Sequence, residues 1–184
     1  MIVIRKALAC DLDFIFSIDF KSEGTTTTNA DKTPEEIMEH RHTVSSFIEN
    51  DDNGIGAFIC EDQSYKKKIG LLMYRVRNRD DVPDFSILRR IDRALFPEDG
   101  QLMEVYQLWV DKDYRKRGIA YELKLKLEEE ARIKGVQLVY SHTEESNIPV
   151  IKMNSKLDYE VVWRGPIWDD QIVRIAFIKH LVSS

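Results

Sequence analysis

The sequence predicts an α/β fold in which helices pack against one sheet, and three patterns support this class. An apolar segment at residues 102–110 runs through a basic turn with one glycine into an amphipathic helix at residues 118–134. Two apolar segments joined by a charged turn predict a β-hairpin over residues 55–76, and a further antiparallel pair is predicted over residues 159–178. With 184 residues, we expect a single domain over residues 1–184.

The N-terminal part of the chain is expected to add one strand and two helices. Residues 2–5 alternate apolar and polar side chains as a strand does, and residues 9–20 carry apolar side chains at helical spacing. A threonine-rich stretch at residues 22–29 predicts a loop. Thr33-Pro-Glu-Glu36 then forms a capping box for a second helix that ends near Glu49.

The rest of the chain is expected to alternate helices with strands. Apolar residues at helical spacing predict a helix over residues 86–96. Four apolar residues from Ile119 to Ala131 recur every four positions and form the buried stripe of the next helix, so the acidic residues 128–130 are assigned to its solvent face. The remaining predictions are a strand at residues 136–141, a helix at residues 147–157 and strands at residues 159–164 and 172–178.

Composition and charge exclude several classes of protein. Hydrophobic residues make up 43% of the chain and charged residues 32%, which is typical of a soluble globular protein without a membrane partner. The net charge of −5 argues against nucleic acid as the main partner. Cys10 and Cys60 are the only cysteines, which predicts neither a disulfide framework nor a metal site. The N-terminus lacks signal-peptide features, so we expect a cytoplasmic protein.

The turn before the helix at residues 118–134 is the strongest candidate for a binding site. It reads Arg115-Lys-Arg-Gly118-Ile-Ala120 and places three basic side chains before the helix. The first N–H groups of a helix have no partner within it and attract anions such as phosphate. Gly118 removes a Cβ where an anion would approach the backbone. The chain lacks the Gly-Lys-Ser/Thr of a P-loop and the G-x-G-x-x-G of a dinucleotide fold, so neither is indicated.

This segment resembles motif A of the GNAT superfamily of acyl-CoA-dependent N-acetyltransferases. The family pattern Gln/Arg-x-x-Gly-x-Gly/Ala is matched by Arg115, Gly118 and Ala120, after an apolar strand and the aromatic Tyr114. A second block, which begins at Asn147, resembles the family's Asn-x-x-Ala-x-x-x-Tyr-x-x-x-Gly-Phe pattern. The order and spacing of both blocks fit the superfamily over most of the chain.

The resemblance implies a GNAT-type mixed, mostly antiparallel central sheet of six to seven strands, flanked by about four helices. Its fourth and fifth strands, at residues 102–110 and 136–141, would be parallel and splayed. Residues 78–100 would be a helical insertion that packs on the sheet, walls the acceptor site or contacts a second copy in a homodimer. The threonine-rich loop would be either a solvated connector or part of the acceptor site.

The resemblance also implies that acetyl-CoA is the co-substrate, that no metal takes part, and that the acceptor is an amine of a small molecule or a protein. The strand residues would lie along the pantetheine arm and the turn would hold the diphosphate. The residues expected to bind the cofactor are Leu108, Trp109, Val110, Arg115, Lys116, Arg117, Gly118, Ile119, Ala120, Tyr121 and Asn147.

Glu104 and Asn154 are the candidate catalytic residues. Free alkyl amines are mostly protonated at pH 7, so a base must take a proton before acyl transfer. Glu104 lies in an apolar strand, and histone-type relatives carry a glutamate base at this distance before motif A, although an ion pair is an alternative role. Asn154 occupies the position of the family's tyrosine; its amide can bond the thiol sulfur but cannot act as a general acid.

Two matters stay open in the sequence. The absent tyrosine motivates an alternative in which the chain is a non-catalytic acyl-CoA-binding module. The acceptor itself cannot be read, but the acidic balance of the chain leans toward a cationic acceptor, such as a polyamine or an aminoglycoside.

Overall fold

The computed structural model describes residues 1–23, 33–49 and 53–181. The strands are β1 (Ile2–Lys6), β2 (Ile55–Asp62), β3 (Lys67–Asn78), β4 (Gln101–Val110), β5 (Leu138–Glu144), β6 (Glu160–Ile167) and β7 (Asp169–His180). The α-helices are α1 (Leu12–Glu23), α2 (Pro34–Glu49), α3 (Ile119–Ile133) and α4 (Ile148–Lys156). Ser22 and Glu23 end α1, and the rest of the predicted threonine-rich loop lies outside the described residues. None of the described helices is long and apolar enough to cross a membrane.

The seven strands form a mixed sheet in the order β1-β2-β3-β4-β5-β7-β6. β4 and β5 are parallel, whereas β1 and β2, β5 and β7, and β6 and β7 pair antiparallel. Parallel neighbours require a crossover, and α3 lies in the connection between β4 and β5. The predicted fold class is therefore confirmed.

The chain divides into two compact units, and β3 and β4 contribute residues to both. Unit 1 consists of Met1–Tyr74 and Gln107–Ile119. In this unit α2 packs on β2 and on α1. The capping box of α2 is confirmed, because Thr33 N donates to Glu36 Oε2 at 2.6 Å and Glu36 N donates to Thr33 Oγ1 at 3.2 Å.

Unit 2 consists of Arg75–Tyr106 and Ala120–Ser184. Here residues 82–96 pack onto β4, β5 and β7 around one apolar core. Its buried members are Val82, Ile87, Leu88, Ile91, Phe96, Leu102, Leu138, Tyr140, Ala176 and Ile178. The segment between β3 and β4 therefore packs on the sheet, which is the first of its three predicted roles.

The predicted helix over residues 86–96 is wrong. The segment between β3 and β4 instead contains the 3₁₀ turns Arg79–Asp81, Ile87–Arg90 and Arg93–Leu95. Each turn begins separately, because the side-chain oxygens of Asn78, Ser86 and Asp92 accept a backbone N–H two residues further on. Between the last two turns, Ile91 is extended and only 2% exposed, which places it in the core.

The assignment of residues 128–130 to the solvent face of α3 is also wrong. Glu128 is 2% exposed and Glu130 is 5% exposed, and only Glu129 is at the surface. Glu130 pairs with Lys134 at 3.3 Å along the helix, whereas Glu128 accepts a hydrogen bond from Lys179 of β7 at 2.7 Å. A cation on a neighbouring strand, which helical spacing cannot reveal, accounts for the buried Glu128.

Candidate functional site

β4 changes character at Glu104. Its register with β5 comprises only two pairs, Met103 with Val139 and Glu104 with Tyr140. The side chains of residues 102–104 are buried, whereas those of residues 105–110 are all half-buried. The C-terminal half of β4 therefore lacks a paired β5 neighbour, as the predicted splay requires, and its backbone can pair with an extended ligand.

The turn after β4 is held by its own basic residues. Asp111 forms an ion pair with Lys67 of β3 at 2.8 Å, which fixes the end of β4. Arg115 Nε donates to the Val110 carbonyl at 3.1 Å, and Arg117 Nη2 donates to a carbonyl within the same turn at 3.0 Å. Each guanidinium uses one N–H donor in these bonds, and no hydrogen bond of its other N–H donors to a described residue is found.

Gly118 ends this turn with an open backbone. Its φ of +83° lies in the left-handed region that favours glycine, and a Cβ built there would meet no atom of a described residue within 4 Å. Among the described residues, no acceptor is found for the backbone N–H groups of Gly118, Ile119 and Ala120. The side chain of Ile119 is buried at 4% exposure, so this residue can offer a ligand its main chain only. Helix-start N–H groups without an acceptor among the described residues, beside an open glycine, fit a phosphate.

Lys116 precedes Gly118 in the sequence and Tyr121 follows it. Lys116 is exposed, and its φ of +62° is unusual for a lysine. No ion pair or hydrogen bond of its ammonium to a described residue is found. Tyr121 lies in the first turn of α3 and is half-buried. The predicted diphosphate turn is thus built mainly by backbone, with Lys116 as an uncommitted cation.

Within unit 2, Glu104 is the centre of a charged cluster. Its side chain is 9% exposed and its Oε2 accepts hydrogen bonds from Arg75 Nε at 2.6 Å and Arg77 Nη1 at 3.2 Å. The Arg75 guanidinium lies 5.0 Å from the centroid of the Tyr106 ring. Both bonds reach Oε2, and no hydrogen bond of Oε1 to a described residue is found. The ion pair that the sequence offered as an alternative role for Glu104 is therefore present.

His142 extends this cluster along β5. Its Nδ1 lies 3.3 Å from the hydroxyl oxygen of Tyr140, the register partner of Glu104. Burial lowers the pKa of His142 below its usual value, although the nearby charge of Glu104 acts in the opposite direction. Burial raises the pKa of Tyr140, and Glu104 adds to that rise. At neutral pH the pair is therefore an uncharged imidazole beside a protonated phenol.

Trp168 borders the same cluster from the turn between β6 and β7. Its ring makes an edge contact with His142, with centroids 5.9 Å apart, and the Arg174 guanidinium lies 5.0 Å from its centroid. Trp168 Nε1 donates to the carbonyl of Phe85 at 2.9 Å, which joins this turn to the segment between β3 and β4. That segment thus reaches the edge of the cluster as well as packing on the sheet.

The two asparagines of the second family block lie in different surroundings. Asn147 precedes α4 and is exposed, and its Nδ2 donates to Thr143 Oγ1 at the end of β5 at 3.0 Å. Asn154 is fully buried, and its amide nitrogen and oxygen make no hydrogen bond to any described residue. Asn154 therefore has a donor and an acceptor that no described residue uses. Leaving a buried amide without hydrogen bonds is energetically costly.

Sequence reasoning missed the arginines of the Glu104 cluster. Arg75 and Arg77 are two positions apart at the end of β3, and this spacing places both on one face of a strand. The sequence offers that signal, but not the pairing of this face with Glu104. No group of three His, Cys, Asp or Glu side chains suited to a metal ion occurs among the described residues.

Comparisons with known proteins identify the family. A sequence profile of the Acetyltransferase (GNAT) family matches residues 21–159. The structure of Arabidopsis thaliana NAA60 in complex with a bisubstrate analogue has a TM-score of 0.72 and 18% identity, with 100% of both chains covered. The same plant protein in complex with acetyl-CoA has a TM-score of 0.70 and 19% identity, with 98% of each chain covered.

A bacterial structure gives a similar result. The ribosomal-protein-S18-alanine N-acetyltransferase from Escherichia coli has a TM-score of 0.64 and 14% identity, over 100% of this chain and 96% of that one. No curated protein sequence matches the chain. At such identities the structures establish the shared fold, whereas the profile covers most of the sequence. The chain therefore belongs to the GNAT family and is an acetyl-CoA-dependent N-acetyltransferase.

Proposed function

We propose that the enzyme moves the acetyl group of acetyl-CoA directly to a primary amine of a small molecule or a protein, with the diphosphate of the co-substrate bound at the turn that ends in Gly118. The observation that carries this proposal is the open backbone of Gly118, where no described residue lies within 4 Å of a built Cβ and no described residue accepts from the N–H groups at the helix start. The remaining donors of Arg115 and Arg117 and the ammonium of Lys116, which has no partner among the described residues, add positive charge beside it.

The pantetheine arm is proposed to lie along Leu108, Trp109 and Val110. These residues are half-buried, and β4 has no register partner in β5 beyond Glu104. An extended amide chain can satisfy the open backbone as an added strand would. Ala120, Tyr121 and Asn147 are proposed as further contacts, Asn147 while it remains bonded to Thr143.

In the reaction, the amine nitrogen attacks the thioester carbonyl, a C–N bond forms, the C–S bond breaks and the thiolate leaves. The ammonium form of the amine must first lose a proton. Glu104 is proposed to bind the amine through Oε1, while Arg75 and Arg77 hold Oε2 and fix the orientation of the carboxylate. A carboxylate fixed in this way places the amine without moving during the reaction.

Glu104 and His142 are the two proton acceptors in this proposal. Its lowered pKa keeps the imidazole neutral at pH 7, and Nε2 can take a proton if Nδ1–H donates to the Tyr140 hydroxyl. We expect kcat/KM to fall on the acid side as His142 becomes protonated, at a pH below its usual pKa. His142→Gln should remove this acid limb, whereas His180→Gln, at the exposed end of β7, should keep it; an unchanged limb in His142→Gln would exclude this role.

Asn154 is the proposed donor to the departing sulfur. Its buried amide has donors that no described residue uses. The proton released by the amine supplies the one that a thiolate needs, so no tyrosine is required at this position. The pH profile of kcat would then show no fall at high pH from the deprotonation of a general acid.

The chain is further proposed to work in the cytoplasm as one acetyltransferase domain, without nucleic acid, membrane or metal. The free thiols of Cys10 and Cys60 support a reducing compartment. A homodimer remains a prediction, which sedimentation of the purified chain would test.

Gly118→Glu tests the placement of the diphosphate. A carboxylate would fill the open space at a positive φ, so we expect the variant to lose thermal stabilisation by coenzyme A, which for the parent chain is about 2.7 kcal/mol at 100 times Kd. Gly135→Glu is a matched control, because Gly135 also has a positive φ of 70° and open space around its Cβ but lies beyond the other end of α3. An unchanged shift in Gly118→Glu would contradict the placement.

A further inference from the structure

We infer that the acceptor amine carries a carboxylate or another planar anion, which Arg75 and Arg77 bind. This inference rests on the proposed function and narrows its substrate class. The cluster holds three guanidiniums, those of Arg75, Arg77 and Arg174. It holds two carboxylates, those of Glu104 and Glu144, and Glu144 is 46% exposed and 3.9 Å from Arg174.

The local charge is therefore opposite to the charge of the whole chain. The chain has a net charge of −5, from which a cationic acceptor was expected. The cluster has one more cation than anions, and its imidazole is neutral because burial lowers the pKa of His142. A polyamine would meet net repulsion there, whereas an amine that carries its own carboxylate would offset the extra cation.

The unused donors of the two arginines have a suitable geometry. Glu104 takes one donor from Arg75 and one from Arg77, and no other acceptor for these guanidiniums is found among the described residues. Arg75 is also oriented by the ring of Tyr106 beneath it. A guanidinium with two parallel N–H groups free binds a carboxylate through both oxygens, which an amide cannot reproduce.

The partial burial of both arginines favours binding over a purely structural ion pair. The side chains of Arg75 and Arg77 are 34% and 26% exposed, so a ligand can reach them and yet would exclude much of the surrounding water. Charge-assisted hydrogen bonds gain strength as water is excluded. The structure thus provides two accessible cations that are only half neutralised.

The test compares acids with their amides as acceptors. The pairs are glycine and glycinamide, 4-aminobutyrate and 4-aminobutanamide, and a short peptide with Glu or Gln as its second residue, with spermidine as the cationic probe. Thiol release from acetyl-CoA gives kcat/KM for each. We expect at least one acid to exceed its amide by about tenfold or more, the effect of one lost charge-assisted hydrogen bond. The free amino acids and the peptide distinguish a small-molecule source from a protein source.

Two substitutions of Arg77 test whether the arginines cause the difference in kcat/KM between each acid and its amide. Arg77→Gln should bring the acid-to-amide ratio close to one, and Arg77→Lys should leave an intermediate ratio. Arg90→Gln, at an exposed position in the segment between β3 and β4, is the control and should keep the parent ratio. Stabilisation by coenzyme A, measured on every variant, shows that each is folded and tests co-substrate binding separately from this inference.

If no probe is acetylated, a direct binding measurement tests the inference that Arg75 and Arg77 bind a carboxylate. Calorimetry of the chain loaded with coenzyme A should then show heat with the acids and none with their amides or spermidine. Spermidine that binds or reacts better than every acid would overturn the inference, and so would acids and amides that behave alike. Either result would leave acetyl-CoA binding at the Gly118 turn intact.

Discussion

Unit 2 contains two carboxylates that each face more than one cation, and the different burial of those cations gives the two clusters different properties. Glu104 lies between Arg75 and Arg77, whose side chains are 34% and 26% exposed. Glu128 of α3 accepts a hydrogen bond from Lys179, lies 3.9 Å from Arg132 one turn further along the helix, and lies near Lys124, which is fully buried. Guanidiniums near the surface keep free donors for a ligand, whereas an ammonium inside the core has no such use.

Lys124 shows what burial does to the second cluster. Its ammonium donates no hydrogen bond to any described residue and lies 3.8 Å from the centroid of the Tyr159 ring. Burial lowers the pKa of Lys124 to about 7, despite the opposing effect of Glu128. The comparison teaches that charge composition predicts neither function nor stability until exposure is known.

Removing the acid of the open cluster should have the largest effect on activity. We expect Glu104→Gln to lower kcat/KM by about 10³-fold, because the amine would lose the group that is proposed to bind it and to assist proton removal. Stability should fall by no more than about 1 kcal/mol, since both arginines can turn toward water. Thiol release and thermal shift with coenzyme A measure the two effects; a rate within about threefold of the parent would remove Glu104 from the mechanism.

Removing the acid of the buried cluster should reverse this pattern. Glu128→Gln leaves Lys179 without its partner and should destabilise the fold by about 3 kcal/mol, with little change in rate per folded molecule. Denaturant unfolding measures the loss. Glu129→Gln, on the exposed side of the same helix, is the control and should change stability by less than about 0.5 kcal/mol. Equal losses of stability in the two variants would mean that burial does not distinguish Glu128 from Glu129.

Removing the buried cation should stabilise the protein by a smaller amount. Lys124→Met keeps the apolar stem and deletes an ammonium without hydrogen bonds, so we expect a gain of about 2 kcal/mol at pH 7. Lys126→Met, on the exposed face of α3, should gain nothing.

The same variant sharpens the comparison through pH. The pKa of Lys124 is about 7 in the folded protein and about 10.4 in an unfolded chain, so between these values the unfolded state binds more protons. Parent stability should therefore rise as pH increases from 7 to about 9.5, by up to about 1.4 kcal/mol per pH unit. This rise should be absent in Lys124→Met; a flat parent curve would show that the ammonium is not buried in solution.

Local signals predicted the elements that depend on neighbours in sequence. The capping box at Thr33 and Glu36 forms between residues three apart, and the start of α3 after Gly118 follows from the glycine and the apolar stripe behind it. The segment at residues 86–96 failed because several polar side chains compete for backbone N–H groups, and periodicity alone does not weigh that competition.

The sequence by itself determined the family, the strand–turn–helix around Gly118, and the parallel pairing of β4 and β5. Tertiary structure alone decided that Glu104 meets Arg75 and Arg77, and that Glu128 and Lys124 are inside the core. The physical reason is the distance along the sequence over which each interaction acts. Backbone geometry is set by residues a few positions apart, whereas the charge and burial of a side chain depend on strands that are distant in sequence and adjacent in the fold.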